Sequence, residues 1–573
     1  MAKGTDYILD ALVKEGLTHL FMVPGGLVDP FLPALAGFPA LKPIVAAQEG
    51  GAAYMADGYS RASGNFGVVL GIGGPGLGNM TTPMATALTD GSRVLALSGE
   101  VATAMEGLGA FQDASAETFD DPRLAEPVTR FSKSVDNIEN LNHMVRRALA
   151  EMVGPPGGPV HLSLPHDVLA GDIAIAHEPL DKAILHAGAI DLAAAGRALD
   201  PVRDTAEPAL KVAFLAGAGV EHADAAERLK AVAERYSIPV ATTLRAKGVF
   251  PEDHPLSLGV FGYAGTRHAT AALLAGDIDY LIVLGSGLNE RDTMHWSARL
   301  RPKHGFASVN ASTRVLTEQA ARHAVVGDCG SFLGLLDTPD AALAGGLEKG
   351  VGARKAWMET IRSGPRLHDT QNLTSEQVPL HPARVVASLR RAFPRDGILL
   401  IDSGAHRAFA GHYWESYAPR TYVSATNLGP MGWAVPAAVG VACARPGTRV
   451  AVVTGDGCMQ MHGLEIAVAA RYRLPITYVV LNNSALGNVW LRAHQLGSLP
   501  AELTSIPDHD WAGFAKALGL AAETVHRPGD IDAALDRAVA ADGPVLIDFK
   551  TEKNAPTPVE DFAQAVAQWS YHE

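Results

Sequence analysis

Short apolar runs rich in β-branched residues recur along the whole chain, each closing on a glycine turn and leading into a segment with helical spacing. They include GVVLGIGGPG (67–76), VLALSGE (94–100), VAFLAGAG (212–219), LIVLGSG (281–287), ILLIDSG (398–404), VAVVTGDG (450–457) and ITYVVLNN (476–483). Few polar residues interrupt them, so each predicts a strand buried on both faces, as in a parallel sheet covered by helices. The strand–helix alternation repeats too often for one sheet. The expected fold class is α/β, with three doubly wound parallel-sheet domains.

The pattern breaks around 173–208 and again around 338–380, where strand runs are scarce. The chain therefore divides into domains at 1–175, 190–340 and 380–560, with 561–573 as a C-terminal tail. A short echo links the outer two. GGPVHLSLP (157–165) and DGPVLIDFK (542–550) each read as a Gly-Pro turn feeding a final buried strand, which duplication of one domain would explain.

Composition narrows the classes without changing the fold. A chain of 573 residues exceeds one hydrophobic core. With 47% hydrophobic and 19% charged residues it has an ordinary globular balance. A formal charge of −14 with no basic cluster argues against a nucleic-acid surface. Cys329, Cys443 and Cys458 are too scattered for a disulfide framework or a cysteine metal site, which fits a reducing compartment. The opening MAKGTDYILDALVKEGL carries charges throughout, unlike a signal peptide, and the longest apolar run (434–444) is too short to span a membrane. A soluble, cytoplasmic protein is expected.

The chemistry concentrates in GDGCMQMHGLEIAVAARYRLPITYVVLNN (455–483). Glycines let the backbone approach an anion closely, and a helix start adds positive dipole. Leu464, Ala467, Val468 and Tyr472 fall at helical spacing, and a second strand then delivers Asn482 and Asn483 at its C-terminal end, where ligands sit in open α/β sheets. Asp456, the Asn483 amide oxygen, a backbone carbonyl, a water and two phosphate oxygens would complete an octahedron around Mg²⁺.

A GDG turn and an Asn pair joined by strand–helix–strand resembles the signature of thiamine-diphosphate enzymes. The likeness extends to all three domains. AAQEGGAAYMADGYSRASG (46–64) resembles the helix start that sets a glutamate against the cofactor's aminopyrimidine, a place Glu49 occupies, although Gln48 replaces the histidine often found before it. GGPGLGN (73–79) resembles the adjoining GPG-x-x-N loop. GLGAFQD (107–113), VTRFSK (128–133) and the central segments 238–266 and 284–292 are similar to the acetolactate synthase branch. SATNLGPMGWAVPAA (424–438) resembles the segment whose methionine, here Met431, bends the cofactor.

The resemblance implies a pyrimidine-binding, a central and a diphosphate-binding domain, with thiamine diphosphate and Mg²⁺ bound between subunits of a homodimer or homotetramer. Pro24, Gly25, Gly74 and Asn79 would join Glu49 on the cofactor. In the third domain the cofactor would meet Ser403, Gly404, Ala405, His406, Gly429 and Met431. Gly455, Asp456, Gly457 and Cys458 would follow, then Asn483, Ala485, Leu486 and Gly487. Asp456, Asn483 and the Ala485 carbonyl are the implied metal ligands, Phe111 and Gln112 would face the reacting carbon, and Arg291 would hold the acceptor's carboxylate.

The activity so implied is decarboxylation of a 2-oxo acid with transfer of the acyl or aldehyde unit to a carbonyl acceptor. Simple decarboxylases of the family carry an adjacent His-His proton relay; this chain has no such pair, which favours carboligation. The alternative is a decarboxylase or a C–C lyase of the 2-hydroxyacyl-CoA type, for which no basic set suited to CoA phosphates stands out. A non-catalytic scaffold would not keep Glu49, Asp456 and Asn483 together, and a nicotinamide dehydrogenase lacks its glycine fingerprint. LGNVWLRA (486–493) departs from the family's LGMVRQWQ, with Asn488 and Arg492 in place of Met and Trp, so a substrate with an extra anionic group is expected. FAD is compatible with the turn at 217–219 and with GYAGT (262–266), but FASVNAST (306–313) lacks the usual acidic residues and GSGLNER departs from GxRFDDR, which weighs against it.

Overall fold

In the computed structural model, which describes residues 1–154, 157–181, 188–203, 209–319, 321–497 and 501–559, every one of those apolar runs contains a strand. The tail at 561–573 lies outside the described residues. Three six-stranded sheets result, parallel throughout, with helices between the strands.

The first sheet runs in space from Lys42–Val45 through His19–Met22, Gly67–Ile72, Val94–Glu100 and Val160–Pro165 to Phe131–Ser134. The third runs from Tyr422–Ser424 through Ile398–Ile401, Val450–Gly455, Ile476–Asn482 and Val545–Lys550 to Ala521–Val525. Counted by chain order within each sheet, both read 2-1-3-4-6-5. The echoing segments are the same strand in each, entering last and wedging between the fourth and fifth. The central sheet, from Ser257–Val260 to His323–Val326, reads 3-2-1-4-5-6, the doubly wound order of dinucleotide-binding sheets.

The outer domains meet through two helices that hold corresponding places in their sheets, Glu49–Ser63 and Ala434–Ala444. Their backbones touch. A Cβ on Gly58 would stand 2.1 Å from the Ala437 carbonyl oxygen, and one on Gly440 1.8 Å from that of Met55. The longest apolar run is therefore an interior helix, buried from Ala434 to Cys443 between two sheets; among the described residues no helix is long and apolar enough to cross a membrane. A buried ion set pins the crossing. Arg61 pairs with Asp57 and Asp90 at 2.8 Å each and lies 5.0 Å over the Trp433 ring, whose Nε1 donates to Asp57. Pairing on both sides of the guanidinium offsets the cost of taking these charges out of water.

Candidate active site

The C-terminal ends of three neighbouring strands in the third sheet build one half of the site. Strand Ile398–Ile401 runs into Asp402, Ser403 and Gly404, and helix Ala405–Tyr413 starts there. The Asp402 carboxyl is fully buried and pushed up to about 6 by burial, while it accepts the Ser403 and Gly432 N–H groups and the Thr454 hydroxyl. It ties that turn to the loop carrying Met431. The Ser403 hydroxyl donates to the Gly429 carbonyl at 2.8 Å. His406 is buried, held down at about 3 by burial with Arg407 beside it, and its Nε2 has no partner among the described residues. A neutral imidazole with an orphaned nitrogen next to a helix N-terminus suits an anionic ligand group.

Strand Val450–Gly455 hands over to helix Asp456–His462. Asp456 accepts the Gly457 N–H at 2.9 Å and the Ala485 N–H at 3.2 Å, and the Asn483 side-chain oxygen accepts that same Ala485 N–H at 3.2 Å. One amide thus brings an oxygen of each side chain together. Burial pushes the Asp456 carboxyl up to about 6, and no cationic side chain pairs with it among the described residues. An oxygen-only set with one unneutralised carboxylate fits a hard divalent cation shared with phosphate. A Cβ on Gly457 would lie 2.9 Å from both Met431 Cε and Leu486 Cδ2, so those side chains close over the turn and only glycine leaves room.

These residues line one cavity of about 340 Å³. It unites Ser403, Gly404, Ala405 and His406 with Gly429, Met431, residues 455–458, Asn483 and residues 485–487. Arg291 joins them from the central domain, on the turn Glu290–Asp292, with its guanidinium 4.5 Å over the Tyr263 ring. Asn289 donates to Asn427 at 3.1 Å and fastens that turn to the third domain. Asn488 and Arg492, on helix Gly487–Leu496, line the cavity as well.

The first-domain residues lie elsewhere. Glu49 opens its helix and accepts a hydrogen bond from the Asn79 amide at 2.9 Å. Gln48, which stands where the resembled family often has a histidine, is the N-cap: its side chain accepts the Gly51 N–H. Gly74 takes φ +60° at the start of helix Pro75–Asp90, with its N–H on the buried Asp121 carboxyl, which burial raises to about 7. Gly25 packs on Ile72 after the exposed Pro24. Phe111 is 86% exposed and Gln112 stands at φ +60° in the loop beyond. Pro24, Gly25, Glu49, Gly74, Asn79, Phe111 and Gln112 all lie outside the lining of the third-domain cavity, so the expected residues of the two domains are not brought together there.

Sequence reasoning missed Glu465. The helix expected through 464–472 covers only Ile466–Arg471 and is preceded by a 3-10 turn, Gly463–Glu465, which leaves Leu464 60% exposed and turns Glu465 inward, 1% exposed. Its two oxygens accept the Ala47 and Gln48 N–H groups at 3.1 Å each, just ahead of Glu49. A Cβ on Gly51 would sit 1.9 Å from one of those oxygens, which explains the glycine inside a helix. The available signal was an acid in an otherwise apolar stretch.

Burial, aided by nearby Glu49, raises the Glu465 carboxyl to about 7. The folded state then holds a proton that the unfolded chain has lost, so this group's contribution to stability falls as pH rises from about 4.5 to 7 and levels off above. Glu465→Gln imitates the protonated form. Melting curves of both proteins at pH 5 and pH 8 are expected to show the Gln variant gaining on the wild type at the higher pH; a constant gap would contradict the assignment.

Three family models match the chain: the N-terminal TPP binding domain of thiamine pyrophosphate enzymes at residues 2–119, their central domain at 206–336, and their C-terminal TPP binding domain at 402–549. Among curated relatives, a probable acetolactate synthase large subunit of Methanocaldococcus jannaschii is 30% identical over 97% of this chain and 93% of its own length. The acetolactate synthase of Mycobacterium bovis is 28% identical over 95% of this chain and 87% of its own. The mitochondrial acetolactate synthase catalytic subunit of Saccharomyces cerevisiae is 28% identical over 96% of this chain and 81% of its own.

Proposed function

The chain belongs to the family of thiamine pyrophosphate enzymes, and from that premise we propose that it is a thiamine-diphosphate- and Mg²⁺-dependent carboligase. It decarboxylates a 2-oxo acid and passes the remaining acyl unit to a carbonyl acceptor. The observation that carries this reading is the oxygen set of Asp456 and Asn483 on one shared N–H, in the lining of a cavity that Met431 and Leu486 also line.

When bound, thiamine diphosphate supplies a thiazolium that stabilises the electron pair left by carboxylate loss. The chain's own residues do the rest. Gly404, Ala405 and His406 with residues 455–457 would receive the diphosphate, and Asp456, Asn483 and the Ala485 carbonyl would hold the metal. Met431 and Leu486, which close over the Gly457 turn, would pack against the cofactor and help keep water from it. Glu49, oriented by the Asn79 amide, would hold or release a proton at its carboxyl toward the cofactor's aminopyrimidine. Arg291 presents a planar fork for the acceptor's carboxylate.

Because Glu49 and the cavity lie apart in one chain, the reading places Glu49 of one subunit over the cavity of another, in a homodimer or a dimer of dimers. The exposed Phe111, Leu108 and Met105 of the first domain and Met461 and Leu464 of the third supply apolar surface for such contacts. No flavin enters the proposed reaction. The glycines at 217 and 219 are accounted for by packing, since a Cβ on either would stand within 2.6 Å of Gly285.

Incubated with pyruvate, thiamine diphosphate and Mg²⁺, the protein is expected to release acetolactate-type ketols in excess of acetaldehyde by mass spectrometry. Free aldehyde in excess would overturn carboligation and leave a decarboxylase.

A further inference from the structure

The cations around the cavity are unequally engaged. Arg407 is committed to the Ser403 hydroxyl and to the carbonyls of Asp402 and Ala425. Arg291, Arg492 and Lys553 line the same cavity, and none of the three pairs with a carboxylate among the described residues. Exposed cations elsewhere do so readily, as in Lys303–Asp279 and Arg537–Glu523. Two of the cavity cations lie on aromatic faces instead. Arg291 is over Tyr263, and the Lys553 Nζ stands 4.1 Å from the centroid of Trp490, whose own Nε1 is fixed by the Asn554 side chain at 2.9 Å. A ring face holds a cation in place without neutralising it.

Among the described residues, neither acid in the lining pairs with these cations. Asp456 belongs to the proposed metal set, and Glu552 accepts the Asn554 backbone N–H at 2.7 Å. Position separates these cations from the phosphate end as well. Asn488 and Arg492 are four apart on helix Gly487–Leu496 and share a face. Arg492 lies five residues beyond Gly487, about 7.5 Å further along the axis at 1.5 Å per residue. Unpaired charges that face one cavity are retained where a ligand completes them.

Resting on the carboligase reading above, we propose that Arg492 and Lys553 bind a second anionic group of the substrate (a carboxylate, sulfonate or phosphonate) distinct from the carboxylate assigned to Arg291. The substrate class is then a dianionic 2-oxo acid or carbonyl acceptor rather than pyruvate alone.

The test uses the enzyme loaded with thiamine diphosphate and Mg²⁺. Oxaloacetate, 2-oxoglutarate and 3-phosphonopyruvate are compared with pyruvate and 2-oxobutyrate, by kcat/KM and by calorimetric binding in a Glu49→Gln background that blocks turnover. At least one dianion is expected to be preferred by about tenfold or more, the scale of one charge-assisted hydrogen bond. Arg492→Met and Lys553→Met should each lower that dianion-to-monoanion ratio by about tenfold, and Arg492→Lys should restore part of it. Equal binding of dianions and monoanions, or a ratio untouched by both Met variants, would overturn the proposal. Retained dianion binding with no turnover of any 2-oxo acid would leave it standing and sink the carboligase reading instead.

Discussion

Glu49→Gln is expected to lower kcat by about 10²- to 10⁴-fold, the range attributed to a positioned proton-transfer group. The substitution keeps the side chain's length and leaves an oxygen for the Asn79 amide, which donates to Glu49 Oε2 at 2.9 Å. It also leaves the N-cap intact, because Gln48 makes that bond and Glu465 receives the neighbouring N–H groups. What it removes is the ability to take and return a proton. Steady-state rates at saturating cofactor and metal give the first readout, and calorimetric binding of thiamine diphosphate gives the second. Lost turnover with binding kept within a few-fold is the signature of a catalytic carboxyl. Unchanged turnover would refute the assignment and return Glu49 to the role of a solvated residue at a helix start.

The two halves of the site were unequally legible in the sequence. Strand positions could be read because parallel strands buried on both faces carry no polar alternation, and the runs at 450–457 and 476–483 therefore stood out with Asp456 and Asn483 at their ends. The common strand order of the outer sheets was only hinted at, by two Gly-Pro turns, since register and neighbour choice depend on packing between sheets. Glu465 shows why the remainder was hidden. Its partners, the Ala47 and Gln48 amides, are over 400 residues away in the chain, and no local periodicity encodes so distant a pairing. Gly51 carried the matching signal, but a glycine within a helix reads as a weak position until the carboxylate it admits is seen. Lys553 was overlooked for a similar reason. It follows the last strand of the third sheet and lines the cavity with its Nζ over the face of Trp490, which belongs to helix Gly487–Leu496 more than sixty residues earlier in the chain.

Asp456→Asn carries the other large effect, on metal and cofactor retention rather than on the fold. The variant keeps one oxygen for the Gly457 or Ala485 N–H but removes the one carboxylate of the proposed ligand set. Residues that merely support metal ligands are worth about 10- to 100-fold in affinity, so losing a charged ligand should weaken Mg²⁺ by about 100-fold or more in the presence of thiamine diphosphate. The metal-free protein should tolerate the change, because that carboxyl is buried, without a cationic side chain, and already pushed up to about 6. Ligand-induced stabilisation separates the two effects. A ligand that binds only the folded state raises stability as RT ln(1 + [L]/Kd), so adding cofactor and Mg²⁺ together should raise the wild-type melting midpoint by several degrees and the variant's hardly at all. Similar midpoints for the two metal-free proteins, with divergence only on addition of metal and cofactor, would tie Asp456 to the metal. An equal rise in both would show that the cation is held elsewhere, and the two-oxygen arrangement around the Ala485 N–H would then be a structural turn.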